Sequence, residues 1–362
     1  MGFSSKNLTS LVSVALDNNA SDIHIRENES PCLRIHGELV PVQTKQFSRD
    51  DIKDICEIMF ENKNIISNIQ NTKESDGGFE IPNVCRIRYN FFQFNSKFGL
   101  ILRLVKNNIP SIESLGLPSV ITKIAGQKRG LILVTGATGS GKSTTLASMI
   151  NHINENKHSH ILTIEDPIEY LHTQKKSRIS QREIGKDTDS FTNGLRSSLR
   201  QDPDIILIGE MRDPETISTA LKAAETGHLV LSTVHTTNAL ATIGRILGMF
   251  SPTEQEDVRK RLSENLFATI GQRMLKSSRG KGIVISMEVM ITTPGVKEII
   301  LGKESLSRLT KIISEGRGKG GNGSQSFDQH TFELYKKGLI SKETALSASE
   351  SQSDFLQKLI VD

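Results

Sequence analysis

LILVTGATGSGKS, residues 131–143, passes from an apolar β-forming run into G-x-x-x-x-G-K-S, and the helix-forming TTLASMI follows at once. Strand, glycine loop and helix in that order are the setting in which this motif binds phosphate. Gly136, Gly139 and Gly141 let the backbone take positive φ and curl round a phosphate with no Cβ in the way. The N–H groups of the loop, those of Thr138 and Ser140 included, then face the triphosphate together with the helix N-terminus, which carries roughly half a positive charge. Lys142 reaches the β- and γ-phosphates, the Ser143 hydroxyl ligates Mg²⁺, and Thr144 continues the motif into the first helical turn. A glycine turn that merely joins strand to helix explains the glycines but not a Lys-Ser pair directly after them. The motif predicts binding of ATP or GTP.

The 362 residues suffice for two domains, each with its own core. Hydrophobic content of 36% and charged content of 24% are those of an ordinary globular chain. There is no Trp and only 5% of residues are aromatic, so stacking platforms for nucleic acid are scarce. A net charge of +4 is small against 45 basic and 41 acidic residues and gives little support for a polyanion partner. Cys32, Cys56 and Cys85 are odd in number and form no C-x-x-C pair, which reads as three reduced thiols. The first residues lack the basic start and apolar core of a signal peptide. No stretch approaches the ~20 apolar residues of a membrane span. A cytoplasmic protein is expected.

Residues 7–19 read as an amphipathic helix, Ser21 to Ile25 as a strand, and PCLRIHGELVPV as a hairpin turning at His36-Gly37. Apolar positions Ile52, Ile55, Met59 and Ile65 recur at helical spacing through 48–69. From 78 to 105 apolar and polar residues alternate as in several antiparallel strands, giving a small α+β domain over 1–105. Prolines and weak periodicity mark 106–118 as a linker. From 119 to 362 short apolar strands (LILVT, HILTIE, DIILIGE, HLVLSTV) alternate with segments long enough for crossover helices, the pattern of a mainly parallel α/β sheet. EGRGKGGNGS (315–324), with five glycines in ten residues, reads as a flexible loop ahead of a helical hairpin at 326–360.

A parallel strand delivers its C-terminal residue to the ligand crevice. PDIILIGE therefore presents Glu210, and HILTIEDPIEY presents Glu165 and Asp166, where carboxylates hold Mg²⁺ or take a proton from the attacking water. Glu169 reads as structural. HLVLSTVH has His228 and His235 at its two ends, with His235 at the crevice end, where imidazole can bond the γ-phosphate. His24, His36, His152, His158, His160, His172 and His330 lack such a setting. Arg196 and Arg200, four apart on one helix face, read equally as surface cations or phosphate binders. Arg86 and Arg88 share a strand face, with Arg103 following in LILRLV; they are a solvated face or an arginine finger reaching a neighbouring subunit.

Four ordered segments resemble motifs of the secretion ATPases of type IV pilus and type II secretion systems. They are GATGSGKSTT (Walker A), TIEDPIEY (Asp box), LRQDPDIILIGEMRDPETI (Walker B) and ETGHLVLSTVHTTNA (His box). SDIHIR, RIRYN and SQSFDQHTFELYKKGLIS extend the resemblance over nearly the whole chain. Within that family the chain is most similar to the pilus-retraction branch, because all three cysteines precede the Walker A loop and leave no tetracysteine zinc module. Ser96-Lys97, Pro214 and GVKEIILGKE (295–304) depart from that branch.

The resemblance implies a RecA-like P-loop ATPase core preceded by a PAS-like domain, assembled as a homo-hexamer. ATP would sit between the two domains, closed by Arg88 and Arg103. Lys142 and Ser143 would be the phosphate and Mg²⁺ ligands, and Glu165 the general base. Glu210 would share metal coordination and water activation, with His228 and His235 as the His-box pair. Hydrolysis would drive retraction of the pilus from the cytoplasmic side of the inner membrane, through a platform protein, with no membrane insertion and no direct nucleic-acid contact. An assembly or secretion ATPase and a RecA-like nucleic-acid translocase are the competing readings.

Overall fold

Alternation of buried and half-exposed residues along CRIRYNFF, the first eight residues of CRIRYNFFQF, dictates a strand with one face on a core, and the first of two compact units grows round it. A computed structural model describes residues 2–361 apart from 36, 61, 83, 106–108, 281 and 319. The units are residues 1–108 with 169–171, and residues 109–168 with 172–362.

In the first unit the order is α1 (Ser5–Asp17), β1 (Asp22–Arg26), β2 (Cys32–Ile35), β3 (Glu38–Pro41), α2 (Arg49–Met59), α3 (Lys63–Ser67), β4 (Glu74–Ile81), β5 (Cys85–Phe94) and β6 (Lys97–Val105). The strands form one antiparallel sheet in the order β3-β2-β1-β6-β5-β4. Ile23, Ile25, Phe91, Leu100 and Leu102 bury one sheet face against Leu8 and Val12 of α1 and Ile52 and Ile55 of α2. Reciprocal capping boxes, Ser4 with Asn7 and Ser48 with Asp51, start both helices. The helical spacing read through 48–69 is interrupted in the structure. Phe60 turns extended (φ −84°, ψ 126°) and stacks on Tyr89 with ring centroids 4.6 Å apart, which ends α2. His36 of the expected hairpin turn lies outside the described residues; Gly37 beside it has φ 89°.

The second unit runs α4 (Val120–Ala125), β7 (Gly130–Thr135), α5 (Lys142–Asn156), β8 (His160–Glu165), β9 (Arg178–Glu183), α6 (Phe191–Ser198), β10 (Ile205–Ile208), α7 (Pro214–Glu225), β11 (Leu229–Val234), α8 (Ala239–Gly248), α9 (Gln255–Asn265), β12 (Leu266–Lys276) and β13 (Ile283–Ile291), then α10 (Pro294–Ile300), α11 (Leu309–Glu315), α12 (Phe327–Lys336), α13 (Lys342–Ala348) and α14 (Gln352–Val361). Its sheet has the order β13-β12-β7-β11-β10-β8-β9, parallel throughout except for β13. Because both faces are covered, β7, β10 and β11 are buried along their whole length and rich in apolar residues. Leu131 and Leu133 of β7 face the core built with α7 to α11. Ile132 and Val134 face the other core, with α4 and α5.

Two further readings of the sequence differ from the fold. No helix joins β8 to β9. Instead the buried Asn154 of α5 holds the later part of that connection, its Oδ1 accepting from Lys175 N (2.9 Å) and Ser177 N (3.3 Å) and its Nδ2 donating to Thr173 O (2.8 Å). The expected hairpin at 326–360 is three helices, because Phe355 of α14 closes a small core with Leu334 and Ala345. In 315–324, Glu315 ends α11 while Ser324 accepts from Ile291 N (3.0 Å). Gln325 bridges Val289 of β13, and Lys319 and residues 106–108 of the expected linker lie outside the described residues. Among the described residues no helix is long and apolar enough to cross a membrane.

Candidate functional site

Register decides which side chains meet at the end of the parallel sheet. Thr135 of β7 lies opposite Val234 of β11, and Ile208 of β10 lies between Ser232 and Ile164 of β8. Gly136, Glu165, Glu210 and His235 follow these residues, so all four leave the sheet at one edge. Neighbouring strands are spaced at about 4.8 Å.

Gly136 (φ 149°), Gly139 (φ 78°) and Gly141 (φ 86°) all have positive φ. At Gly136 a Cβ would lie 2.5 Å from Ser140 Oγ and 2.7 Å from Gln272 O, so the cradle admits only glycine there. Thr138 and Gly139 are exposed at the tip, Ser140 is buried, and Ser143 and Thr144 are half-buried in the first turn of α5. Lys142 is buried, with Nζ donating to Gly136 O and Ala137 O at 3.0 Å each. The glycine cradle, the buried amine and the first-turn hydroxyl together fit a nucleoside triphosphate, with Mg²⁺ at Ser143. Ser140 Oγ and Thr145 Oγ1, both buried beside the loop and without a hydrogen-bond partner among the described residues, add polar capacity.

Glu165 Oε1 accepts from Thr163 Oγ1 (2.7 Å) and Gln181 Nε2 (3.2 Å), which fixes the carboxylate from its own strand and from β9. Glu210 lies two residues beyond β10. The Ser232 and Thr233 hydroxyls donate to Ile208 O (2.8 Å) and Gly209 O (2.7 Å) and pin its approach. Its Oε2 sits 2.6 Å from Arg212 Nε and 3.3 Å from His235 Nε2, so the structure brings Glu210 and His235 into one cluster. Pro214, unusual for the resemblance, occupies the first turn of α7 behind the N-cap Asp213, a position that suits proline.

His228 is not in that cluster. It precedes β11, with Nδ1 2.9 Å from Ala223 O, and the strand's length puts it roughly 20 Å from His235. Arg196 pairs with Glu215 (2.6 Å) at the surface. With Arg182, Lys186 and Arg200 it lines a polar cavity of about 560 Å³ beside β9 rather than the glycine loop. In the first unit Arg88 and Arg103 are directly opposite each other on β5 and β6. Arg103 Nε is 2.9 Å from Asp22 Oδ1; burial raises the Asp22 pKa, but hydrogen bonds from Ser21 and Arg103 outweigh it and lower the value. Arg88 Nη1 lies 3.8 Å from Glu169.

Two histidines set aside in the sequence are structural. His330 is buried and its Nδ1 accepts from Met287 N (2.9 Å); His160 bonds Ser180 Oγ (3.1 Å) and Asp202 O (3.2 Å). Gln181 and Gln272 escape a linear reading because their partners, Glu165 and Ser140, are distant in sequence; Arg212 lies only two residues past Glu210, and that spacing was the available signal for it.

Residues 2–311 match the family described as type II/IV secretion system protein. A protein of Neisseria gonorrhoeae named twitching motility protein is 45% identical over 87% of this chain and 83% of its own length. The type IV pilus retraction ATPase PilT of Pseudomonas aeruginosa is 40% identical over 96% of this chain and 99% of its own. The crystal structure of a pilus retraction motor PilT with bound ADP superposes with a TM-score of 0.87 at 39% identity, covering 97% of this chain and 99% of that one.

Proposed function

The chain belongs to the type II/IV secretion system protein family, and from that premise we propose that it is a motor ATPase whose hydrolysis of ATP powers type IV pilus retraction. The observation that carries the reading is the gathering of a glycine phosphate loop, two strand-end carboxylates and a histidine at one edge of a parallel sheet. Lys142 and the loop amides bind the β- and γ-phosphates. Ser143, with Glu210, would hold Mg²⁺, which when bound neutralises charge building on the phosphate oxygens. Glu165 takes the proton of the attacking water, its carboxylate oriented by Thr163 and Gln181. His235 and Arg212 orient Glu210. We place the chain in a homo-hexamer, where Arg88 and Arg103 supply guanidinium charge to the nucleotide. It would work at the cytoplasmic face of the inner membrane against a platform protein of the pilus machine.

Pilus dynamics in a strain whose own copy is replaced by Glu165→Gln test the reading. Abundant pili that extend but do not retract are the expected outcome. Absence of pili would assign the chain to assembly instead, and normal retraction would remove it from pilus work.

A further inference from the structure

We propose that Gln272 is a positioning residue for the nucleotide, holding the phosphate loop from behind through Ser140; the inference rests on the reading of 136–143 as the ATP site. β12 runs parallel to β7 with Ile270 opposite Val134 and Gly271 opposite Thr135, which carries Gln272 level with Gly136. The Gln272 side chain is 1% exposed, and its Nε2 donates to the Ser140 carbonyl. Among the described residues Oε1 is buried with no hydrogen-bond partner, so the amide is held in place by the Nε2 bond and by packing.

The loop and β12 are in close contact at two further points. A Cβ on Gly141 would come within 2.8 Å of Met274 Cε and 3.3 Å of Gln272 Nε2. On Gly136 it would meet the Gln272 carbonyl at 2.7 Å. Two of the loop's glycines therefore answer to the strand behind them as well as to phosphate. Ser140 N in turn donates to Ala137 O (3.1 Å), so a shift of the Ser140 peptide would carry the tip of the loop with it. Gln272 acts on the nucleotide by fixing where the loop amides point, and it touches no phosphate itself.

Alternation along β12 supplies an internal control. Arg273 points to the opposite face, where it donates to Ala348 O (3.2 Å), reaches Glu350 (3.3 Å) and lies 3.8 Å from the Phe327 ring centroid. Replacing Arg273 disturbs the same strand without reaching the loop.

The test compares Gln272→Met, Gln272→Glu and Arg273→Met in the full-length chain. Binding of a fluorescent ADP analogue, KM and kcat for ATP, and Tm without nucleotide are measured for each. Gln272→Met keeps the shape and removes the donor. It should weaken ADP binding and raise KM about tenfold, as expected for one lost hydrogen bond, with kcat changed less than twofold. Gln272→Glu should bind ADP like wild type only at low pH, where the protonated carboxyl donates to Ser140, and lose affinity as pH rises. Arg273→Met should lower Tm and leave ADP affinity within twofold. Equal affinity losses in Gln272→Met and Arg273→Met would overturn the proposal by assigning the effect to strand integrity. Should Gln272→Met fail to fold, a flat pH profile of ADP affinity in Gln272→Glu would overturn it equally. Loss of all nucleotide binding in the wild type would instead overturn the ATP-site reading.

Discussion

At the scale of single residues, Glu210 has two basic neighbours on one oxygen, Arg212 at 2.6 Å and His235 at 3.3 Å. A carboxylate held in that way serves as an oriented acceptor, and its neutral isostere keeps the shape without the charge. Glu210→Gln should therefore retain ADP binding while turnover falls by about 10²–10⁴-fold, the range of a lost acid–base or metal-orienting group. Lys142→Ala should instead lose nucleotide binding itself, measured with the same ADP analogue, because the buried amine is the only loop side chain able to meet two phosphates. Undiminished turnover in Glu210→Gln would take that carboxylate out of the chemistry. The residues proposed to contact phosphate were legible in the sequence, since loop, lysine and hydroxyl are contiguous. The side chains that support the site from neighbouring strands were not: Gln181 and Gln272 act across strands, and a linear pattern carries no register. The two histidines of HLVLSTVH show the same limit from the other side, because a strand that brings His235 to the site must carry His228 away from it.

Among the elements, the strands buried on both faces were readable as short apolar runs, as β7, β8, β10 and β11 show. β9 was hidden because an edge strand reading RISQRE has no apolar run, and β12 and β13 because buried polar residues such as Gln272, Ser286 and Glu288 interrupt theirs. Glu288 of β13 is one of these. Its Oε1 accepts from Ala239 N (2.7 Å) at the start of α8, just beyond His235. Burial pushes its pKa up to about 7, the Ala239 bond only partly opposing this. The native state thus holds this proton more tightly than the unfolded chain, whose value is 4.5, and stability contributed here falls as pH rises from about 4.5 to about 7. Chemical denaturation should show about 1–2 kcal/mol lost between pH 6 and pH 8 from this group, and Glu288→Gln should remove that loss. His172 and His330, lowered by burial to about 4, act with the opposite sign and weaken the fold as pH drops below 6.5. An unchanged slope between pH 6 and pH 8 in Glu288→Gln would show that the proton is not held there.

For the whole molecule, the proposed ring, in which arginines of the first unit would meet the phosphate loop of the second, makes a prediction neither unit makes alone. Turnover per subunit should rise with protein concentration as copies associate. Arg88→Ala should reduce it several-fold only in the concentration range where light scattering reports assembly. Equal loss at all concentrations would locate the Arg88 effect within one subunit. Arg103→Ala should cost less, since that side chain is already paired with Asp22. Both sheets also end in strands with one open flank. β13 is covered where Gln325 bridges Val289, but β3 is exposed along all four of its residues, with Leu39 and Val40 turned outward. An open flank of this kind is a template for unwanted pairing between chains, and here it is kept to four residues, with Pro41, which has no N–H to offer, as the last. Colloidal behaviour at high concentration therefore hinges on that proline: a residue able to donate at 41 would lengthen the strip on which fibril-like self-pairing can begin.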